Sequence, residues 1–278
     1  MTHIVRAIAD LRTQVSVWHQ DGLKVALVPT MGALHAGHLS LVKHALEQAD
    51  RCVLSLFVNP AQFAPQEDFD TYPRREAEDV AKFLDAGGHL VFAPSVAELY
   101  PSGHATKIAM SGPALGLEQA FRPALFDGVV LVVTKLLLAA QAEIAVFGEK
   151  DYQQLKIVER LVSDLFIPTK IVASPIVRDA EGLALSSRNA YLSAAELLIA
   201  RNLNTVLTTV ARKLKTIPGE THATLFAARQ ELSDIGFDSV DYLEPRSPDL
   251  QMWEQGGEGR LLAAVQLGST RLIDNVEI

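Results

Sequence analysis

Residues 25–42 read Val25-Ala26-Leu27-Val28-Pro29-Thr30-Met31-Gly32-Ala33-Leu34-His35-Ala36-Gly37-His38-Leu39-Ser40-Leu41-Val42, and the pattern changes twice within them. An apolar run ends in a glycine-bearing turn, and a helical pattern then begins. This predicts a strand over Lys24–Val28 and a helix over Gly37–Gln48. His35 and His38 stand three residues apart and share the first helical turn. A helix N-terminus favours anions through its unpaired N–H groups and its dipole. Gly32 and Gly37 let the backbone come close to a ligand. The segment reads as a phosphate site with two titratable donors. Such a site suits nucleotidyl transfer, in which negative charge builds on phosphorus and on departing pyrophosphate. A lone HxGH fits a buried turn with incidental histidines as readily. The strand before it, the helix after it and the clusters described below favour the phosphate site.

Outward from this segment, strand and helix patterns alternate to about residue 175. Arg51–Val58 is β-rich, Pro73 is placed to open a helix, and Gly87-Gly88 to close it. His89–Ala93 reads as a strand, Gly128–Gln141 as an apolar helix and Glu143–Phe147 as a strand. Asp151–Asp164 reads as a helix and Thr169–Ala173 as a strand. The alternation predicts an α/β fold, a parallel sheet with helices on both faces. Ligands in such sheets sit beyond the C-terminal strand ends, where the histidines, Asn59–Gln62 and Gly148–Asp151 all fall. After Pro175 the character changes. Ser193 with Glu196 is a capping-box signature, and helical pattern runs to about Lys215. Pro218-Gly219 breaks it, and a second helix spans Ala223–Asp234. Ser239–Leu243, Leu261–Val265 and Arg271–Asp274 are short strands. Two domains are expected: 1–175, binding nucleotide and small substrate, and 176–278, a smaller α+β C-terminal domain.

The 278 residues carry a net charge of −8, which argues against a nucleic-acid partner. Cys52 is the only cysteine, so an intrachain disulfide is excluded and a cysteine-based zinc site disfavoured. It falls in a strand pattern and reads as a core residue. Val129–Ala140 is the most apolar stretch, but Lys135 interrupts it and it is too short to span a membrane. No charged-then-apolar leader opens the chain, so no membrane association and a cytoplasmic location are expected.

Three further clusters carry chemistry. Phe57-Val58-Asn59-Pro60-Ala61-Gln62-Phe63 presents two amides that recognise hydroxyls and carboxylates without charge. Gly148-Glu149-Lys150-Asp151-Tyr152-Gln153-Gln154 places a glycine, a cation and a helix start beyond a strand. Lys150 can neutralise phosphate as a point charge, and Gln154 faces the same crevice one turn later. Val177-Arg178-Asp179-Ala180-Glu181-Gly182-Leu183-Ala184-Leu185-Ser186-Ser187-Arg188 ends in two hydroxyls and a guanidinium, suited to a triphosphate. Each cluster alone is also a plausible surface turn.

Together these segments resemble the pantoate–β-alanine ligase family, ATP-dependent members of the HxGH nucleotidyltransferase superfamily. The likeness runs from Lys24 to Asn275. It includes PTMGALHxGH, FVNPxQF, Tyr72-Pro73-Arg74, FGEKDYQQL, Ser186-Ser187-Arg188-Asn189, Asp241-Tyr242-Leu243-Glu244 and Thr270-Arg271-Leu272-Ile273-Asp274-Asn275. The resemblance implies a Rossmann-like first domain, a C-terminal lid, a homodimer and Mg²⁺. It implies two steps, with pantoate attacking the α-phosphate of ATP and β-alanine then attacking the acyl adenylate. Met31, Gly32, Ala33, Leu34, His35, Ala36, Gly37 and His38 would line the ATP site, with His38 as proton donor and His35 supporting the phosphates. Gly148, Glu149, Lys150, Asp151, Val177, Leu185, Ser186, Ser187 and Arg188 would complete it. Gln62 and Gln154 would bind pantoate, Gln62 also lying near β-alanine, and Asn59 would shape that pocket.

The chain departs from the family pattern at Leu185, usually methionine, and at Leu125, usually histidine. The metal ligands are not legible. Asp79 is a candidate, but reads more readily as a helix-surface acid. A rival within the superfamily is an adenylyltransferase acting on a phosphorylated acceptor, and the neutral pair Gln62 and Gln154 weighs against it. A nucleotide-binding module without chemistry would lack His38 or Lys150.

Overall fold

The computed structural model describes residues 4–64, 69–217 and 219–278. The first part runs β1 (Ile4–Val5), α1 (Ile8–Gln20), β2 (Val25–Thr30), α2 (Ala36–Leu46), β3 (Arg51–Leu56), α3 (Glu76–Asp85) and β4 (Leu90–Phe92). It continues with the single-turn helices α4 (Val96–Leu99) and α5 (Glu118–Phe121), then α6 (Leu125–Ala140), β5 (Ile144–Gly148), α7 (Tyr152–Asp164) and β6 (Lys170–Ser174). The six strands form one sheet in the order β1-β4-β3-β2-β5-β6, every pairing parallel.

Alternation along β2 explains why both faces of this sheet are covered. Val25 and Leu27 enter a core with α1, α6 and α7, whereas Ala26 and Val28 enter another with α2 and α3. A strand buried on both sides reads as a continuous apolar run. Cys52 lies fully buried in β3, and burial pushes its thiol up to about 12, as befits a core residue.

The second part holds α8 (Ala194–Ala200), α9 (Asn202–Thr216), α10 (Thr221–Ile235) and an antiparallel sheet of β7 (Ser239–Arg246), β8 (Arg260–Leu267) and β9 (Thr270–Glu277). Ser193 and Glu196 form the expected capping box. Pro218, expected to break the helical run, lies outside the described residues. In β8, Leu261, Ala263 and Val265 pack with α9 and α10, while Leu262 and Ala264 join the core of the first part. The small sheet therefore lies between its own helices and the first part.

Three expectations need correction. β1 and α1 were not anticipated, although Leu11, Val15 and Trp18 mark one helical face. Pro73 does not open α3, which begins at Glu76. The Arg74 guanidinium turns back onto the carbonyls of Phe69, Asp70 and Tyr72 at 2.9, 3.2 and 3.4 Å, and this holds residues 69–74 in a turn. Asp79 is no surface acid, being only 1% exposed. Its two carboxylate oxygens accept the backbone N–H groups of Ala33 at 2.8 Å and Leu34 at 2.7 Å.

That contact makes a sharp prediction. A surface acid changes stability by less than about 0.5 kcal/mol when removed. Asp79→Ala forfeits two hydrogen bonds to a charged group, each worth about 1.5–3 kcal/mol. Urea unfolding should show a loss of at least about 2 kcal/mol, and a near-neutral effect would deny Asp79 this structural role.

Candidate active site

The turn after β2 is shaped by backbone conformation before any ligand arrives. Gly32 and Ala33 adopt φ of +91° and +52°, so their neighbouring N–H groups converge on the Asp79 carboxylate. Ala33 carries the strain of a left-handed non-glycine residue. From the same helix, Lys82 Nζ donates to the Leu34 carbonyl at 3.0 Å. The turn is thus clamped from behind by α3.

The two histidines form the N-terminal cap of α2. Gly37 N–H donates to His35 Nδ1 at 3.1 Å, and His35 N–H donates to His38 Nδ1 at 3.4 Å. Their ring centroids lie 4.1 Å apart. A Cβ on Gly37 would sit 2.9 Å from His35 Cε1, so glycine here makes room for the imidazole. Burial, then the positive charge of Lys150, lowers the pKa of His35 to about 4. Burial, the neighbouring His35 and then Lys150 lower that of His38 to about 3. Both rings are therefore neutral at pH 7. Because each Nδ1 accepts, each proton resides on Nε2, which remains the ring donor.

After β3, Asn59 is 1% exposed and caps the 3₁₀ turn Pro60–Gln62. Its Nδ2 donates to Gln62 Oε1 at 3.2 Å and to the Gly128 carbonyl at 3.1 Å. A Cβ on Gly128 would meet the Ala61 carbonyl oxygen at 2.2 Å, so only glycine lets α6 lie this close to the turn. Gln62 Nε2 faces Met31 Sδ at 3.0 Å.

The turn after β5 carries Lys150, with its Nζ 3.9 Å from Asp151. This turn is held from the far end of the chain. Asn275 Nδ2 donates to the carbonyls of Glu149 at 2.9 Å and Lys150 at 3.1 Å, while Arg260 donates to Asn275 Oδ1 at 2.7 Å. Beside it, Asp274 receives a two-pronged contact from Arg178 at 2.6 and 2.9 Å. Arg178 begins the segment leading to Ser186, which caps a short 3₁₀ helix, Ser187–Tyr191. Ser187 Oγ lies 3.1 Å from the Tyr72 hydroxyl, and the Arg188 guanidinium lies 5.8 Å from the Tyr72 ring centroid.

These segments enclose two adjoining cavities of 220 and 1030 Å³. Met31, Gln62, Lys150, Gln154, Ser186 and Arg188 line both, so the cavities are lobes of one crevice. His35, Gly37, His38, Asn59, Gly148, Val177, Leu185 and Ser187 line the smaller lobe, and Asp151 borders each. Five other sequence-selected residues stand back from both. Gly32 and Ala33 form the turn itself, Leu34 has its side chain in the core, and Ala36 is exposed. Glu149 faces Arg260 at 3.5 Å. Leu125, at the start of α6, makes its part of the larger lobe apolar together with Phe126.

Residues that received no role from sequence reasoning complete the frame. Glu118 is 7% exposed and accepts from Tyr242 at 2.6 Å and from Arg271 at 2.7 Å. Burial and the Glu118 charge hold the Tyr242 hydroxyl well above its usual pKa. The available signal was the polar residues of the two C-terminal motifs that carry the family likeness: Tyr242 in β7, and Arg271, Asp274 and Asn275 in β9.

The family model of pantoate-beta-alanine ligase matches residues 3–277. The chain belongs to the pantoate–β-alanine ligase family. A pantothenate synthetase from Mesorhizobium japonicum is 52% identical, the match covering 99% of this chain and 97% of that protein. The crystal structure of pantothenate synthetase from Thermus thermophilus is 40% identical, with a TM-score of 0.87 and 99% of each chain covered. The pantoate-beta-alanine ligase from Francisella tularensis, complexed with beta-gamma ATP and beta-alanine, is 33% identical. Its TM-score is 0.82, with 99% of this chain and 97% of that one covered. The enzyme class and fold expected from the sequence therefore hold.

The neutral histidines set a pH dependence. Unfolded, each ring takes up a proton near pH 6.5, whereas folded they do so only near pH 4 and pH 3. Between those values the unfolded chain binds more protons, so stability falls as pH drops from 6.5 toward 4. Unfolding titrations across that window should lose stability less steeply in His38→Gln than in wild type. Equal slopes would mean that His38 is already protonated in the folded protein.

Proposed function

We propose that this ligase joins pantoate to β-alanine through a pantoyl adenylate, with the observed crevice as the site of both steps. The observation that supports this reading most strongly is the convergence of two neutral imidazoles, Lys150 and the amides of Gln62 and Gln154 on one crevice. A small hydroxy acid fits the amide pair, which supplies hydrogen bonds without requiring a second anion. The triphosphate fits the N-terminus of α2, Lys150 and the Ser186–Arg188 loop.

In the first step a pantoate carboxylate oxygen bonds to the α-phosphorus, and pyrophosphate leaves. The Nε2–H groups of His35 and His38 and the Lys150 ammonium stabilise the charge that develops, with His38 as the donor nearest the reaction. In the second step the β-alanine nitrogen bonds to the acyl carbon, and AMP leaves. Mg²⁺, if it accompanies ATP, would be held chiefly by the phosphate oxygens and waters, with one or two carboxylates. Asp151, beside Lys150 and bordering both lobes, would be the carboxylate to meet the ion, which would help neutralise phosphate charge there. Among the described residues there is no group of three or more His, Cys, Asp or Glu side chains arranged to hold a metal. Both oxygens of Asp79 already serve backbone N–H groups.

The division at residues 175 and 176 is supported by the end of β6 at Ser174 and by a separate core formed from residues 183–278. In this reading the second part covers the crevice and excludes water from a hydrolysable intermediate. A homodimer working in the cytoplasm, without nucleic acid or membrane partners, completes the proposal. Its support is the family likeness and the acidic charge balance.

Pantoate alone should support exchange of pyrophosphate into ATP, with net AMP release requiring β-alanine as well. Exchange that needs β-alanine but not pantoate would overturn the order of steps. His38→Ala and Lys150→Ala should each slow adenylate formation by roughly a hundredfold to a thousandfold, the usual effect of removing a positioned donor of transition-state charge. Near-normal single-turnover rates would remove that residue from the mechanism.

A further inference from the structure

Tyr100 lines neither lobe of the crevice, yet its hydroxyl donates to Asn59 Oδ1 at 2.8 Å. The backbone N–H of Ala61 donates to the same oxygen at 3.3 Å. With two donors on Oδ1, the Asn59 amide has one consistent orientation, and its Nδ2 faces the Gly128 carbonyl and Gln62 Oε1. The orientation then passes to the next side chain. Gln62 Oε1 is taken by Asn59, so Gln62 turns its Nε2 donor toward Met31 at the cavity wall.

Tyr100 is itself firmly seated. Lys135 donates to the Leu99 carbonyl, and its ammonium lies 4.9 Å from the centroid of the Tyr100 ring. Phe57 packs on the same ring at a centroid distance of 6.4 Å. Burial raises the Tyr100 pKa to about 12, so the hydroxyl keeps its proton and remains a donor at neutral pH.

We infer that Tyr100 is a positioning residue for pantoate recognition: through Asn59 it fixes Gln62 as a donor toward the crevice. The site then selects a substrate with an acceptor, a carboxylate or hydroxyl oxygen, at that point. This inference rests on Gln62 meeting pantoate, as proposed above, and extends it to a residue outside the crevice.

A double-mutant cycle tests it, with the KM for pantoate read from ATP–pyrophosphate exchange. Tyr100→Phe keeps the ring and its cation contact but removes the hydroxyl. It should raise the pantoate KM by about threefold to tenfold, the range for losing one neutral hydrogen bond, while leaving the KM for ATP unchanged. In a Gln62→Ala background the same substitution should have no further effect on pantoate KM, because the side chain it orients is gone. A merely structural role would give additive effects or move both KM values together, and either result overturns the proposal. So does an unchanged pantoate KM in Tyr100→Phe alone. If Gln62→Ala itself leaves the pantoate KM untouched, the underlying assignment of Gln62 fails and the proposal fails with it. Should the cycle fail while Gln62→Ala behaves as expected, only the role of Tyr100 is lost.

Discussion

Peptide groups in the turns that follow β2, β3 and β5 are partly withdrawn from water, and a peptide group so placed must find a partner. In each turn a single buried side chain, drawn from outside the turn or capping it, supplies one. Asp79 receives two N–H groups after β2, Asn59 bridges its own turn to α6 after β3, and Asn275 donates to two carbonyls after β5. None of the three is more than 2% exposed. The chemistry differs with the need: a carboxylate meets two donors after β2, an amide meets a turn donor and a helix carbonyl after β3, and an amide meets two carbonyls after β5. These contacts hold the HxGH turn, the Gln62 turn and the Lys150 turn in a fixed relation. The crevice depends on them more than on its own lining.

Electrostatics follow from that frame. Two imidazoles close together beside Lys150 cannot hold charge cheaply in a buried setting, and both stay neutral. Beside Lys150 the site therefore presents two neutral imidazole donors, without adding two more positive charges to it. Under the proposed function, a triphosphate in the crevice would push the ring pKa values the other way, since nearby negative charge favours the protonated form.

The parallel sheet was legible because its strands are apolar on both faces and its turns carry glycine, and the small sheet because β8 is a continuous apolar run. His35, His38, Gln62, Lys150 and Ser186–Arg188 were legible because their chemistry sits directly after strands or in a hydroxyl-rich loop. The residues that position them were not. Asp79 lies in an acidic helix start and looks solvated, yet packs against a turn 46 residues away in sequence. Asn275 acts across 125 residues, a distance over which periodicity carries no information. Pro73 shows the limit of local rules, because the side chain of Arg74 holds the chain in a turn that a helix-opening proline does not foresee. Leu34 and Glu149 belong to site motifs, but the structure turns Leu34 into the core and Glu149 toward Arg260.

The central claim is that remote buried side chains place the reacting groups, and Asn275 tests it most directly because its single amide donates to both the Glu149 and the Lys150 carbonyls. Rapid-quench measurement of pyrophosphate release in a single turnover, at saturating ATP and pantoate, reads the placement of Lys150 without the second step. Asn275→Ala should slow that release by about tenfold to a hundredfold, the scale on which small misplacements act, with pantoate affinity and the circular dichroism spectrum unchanged. A wild-type rate in the folded variant would contradict the account, and would show that the Lys150 turn holds its geometry without the C-terminal strand.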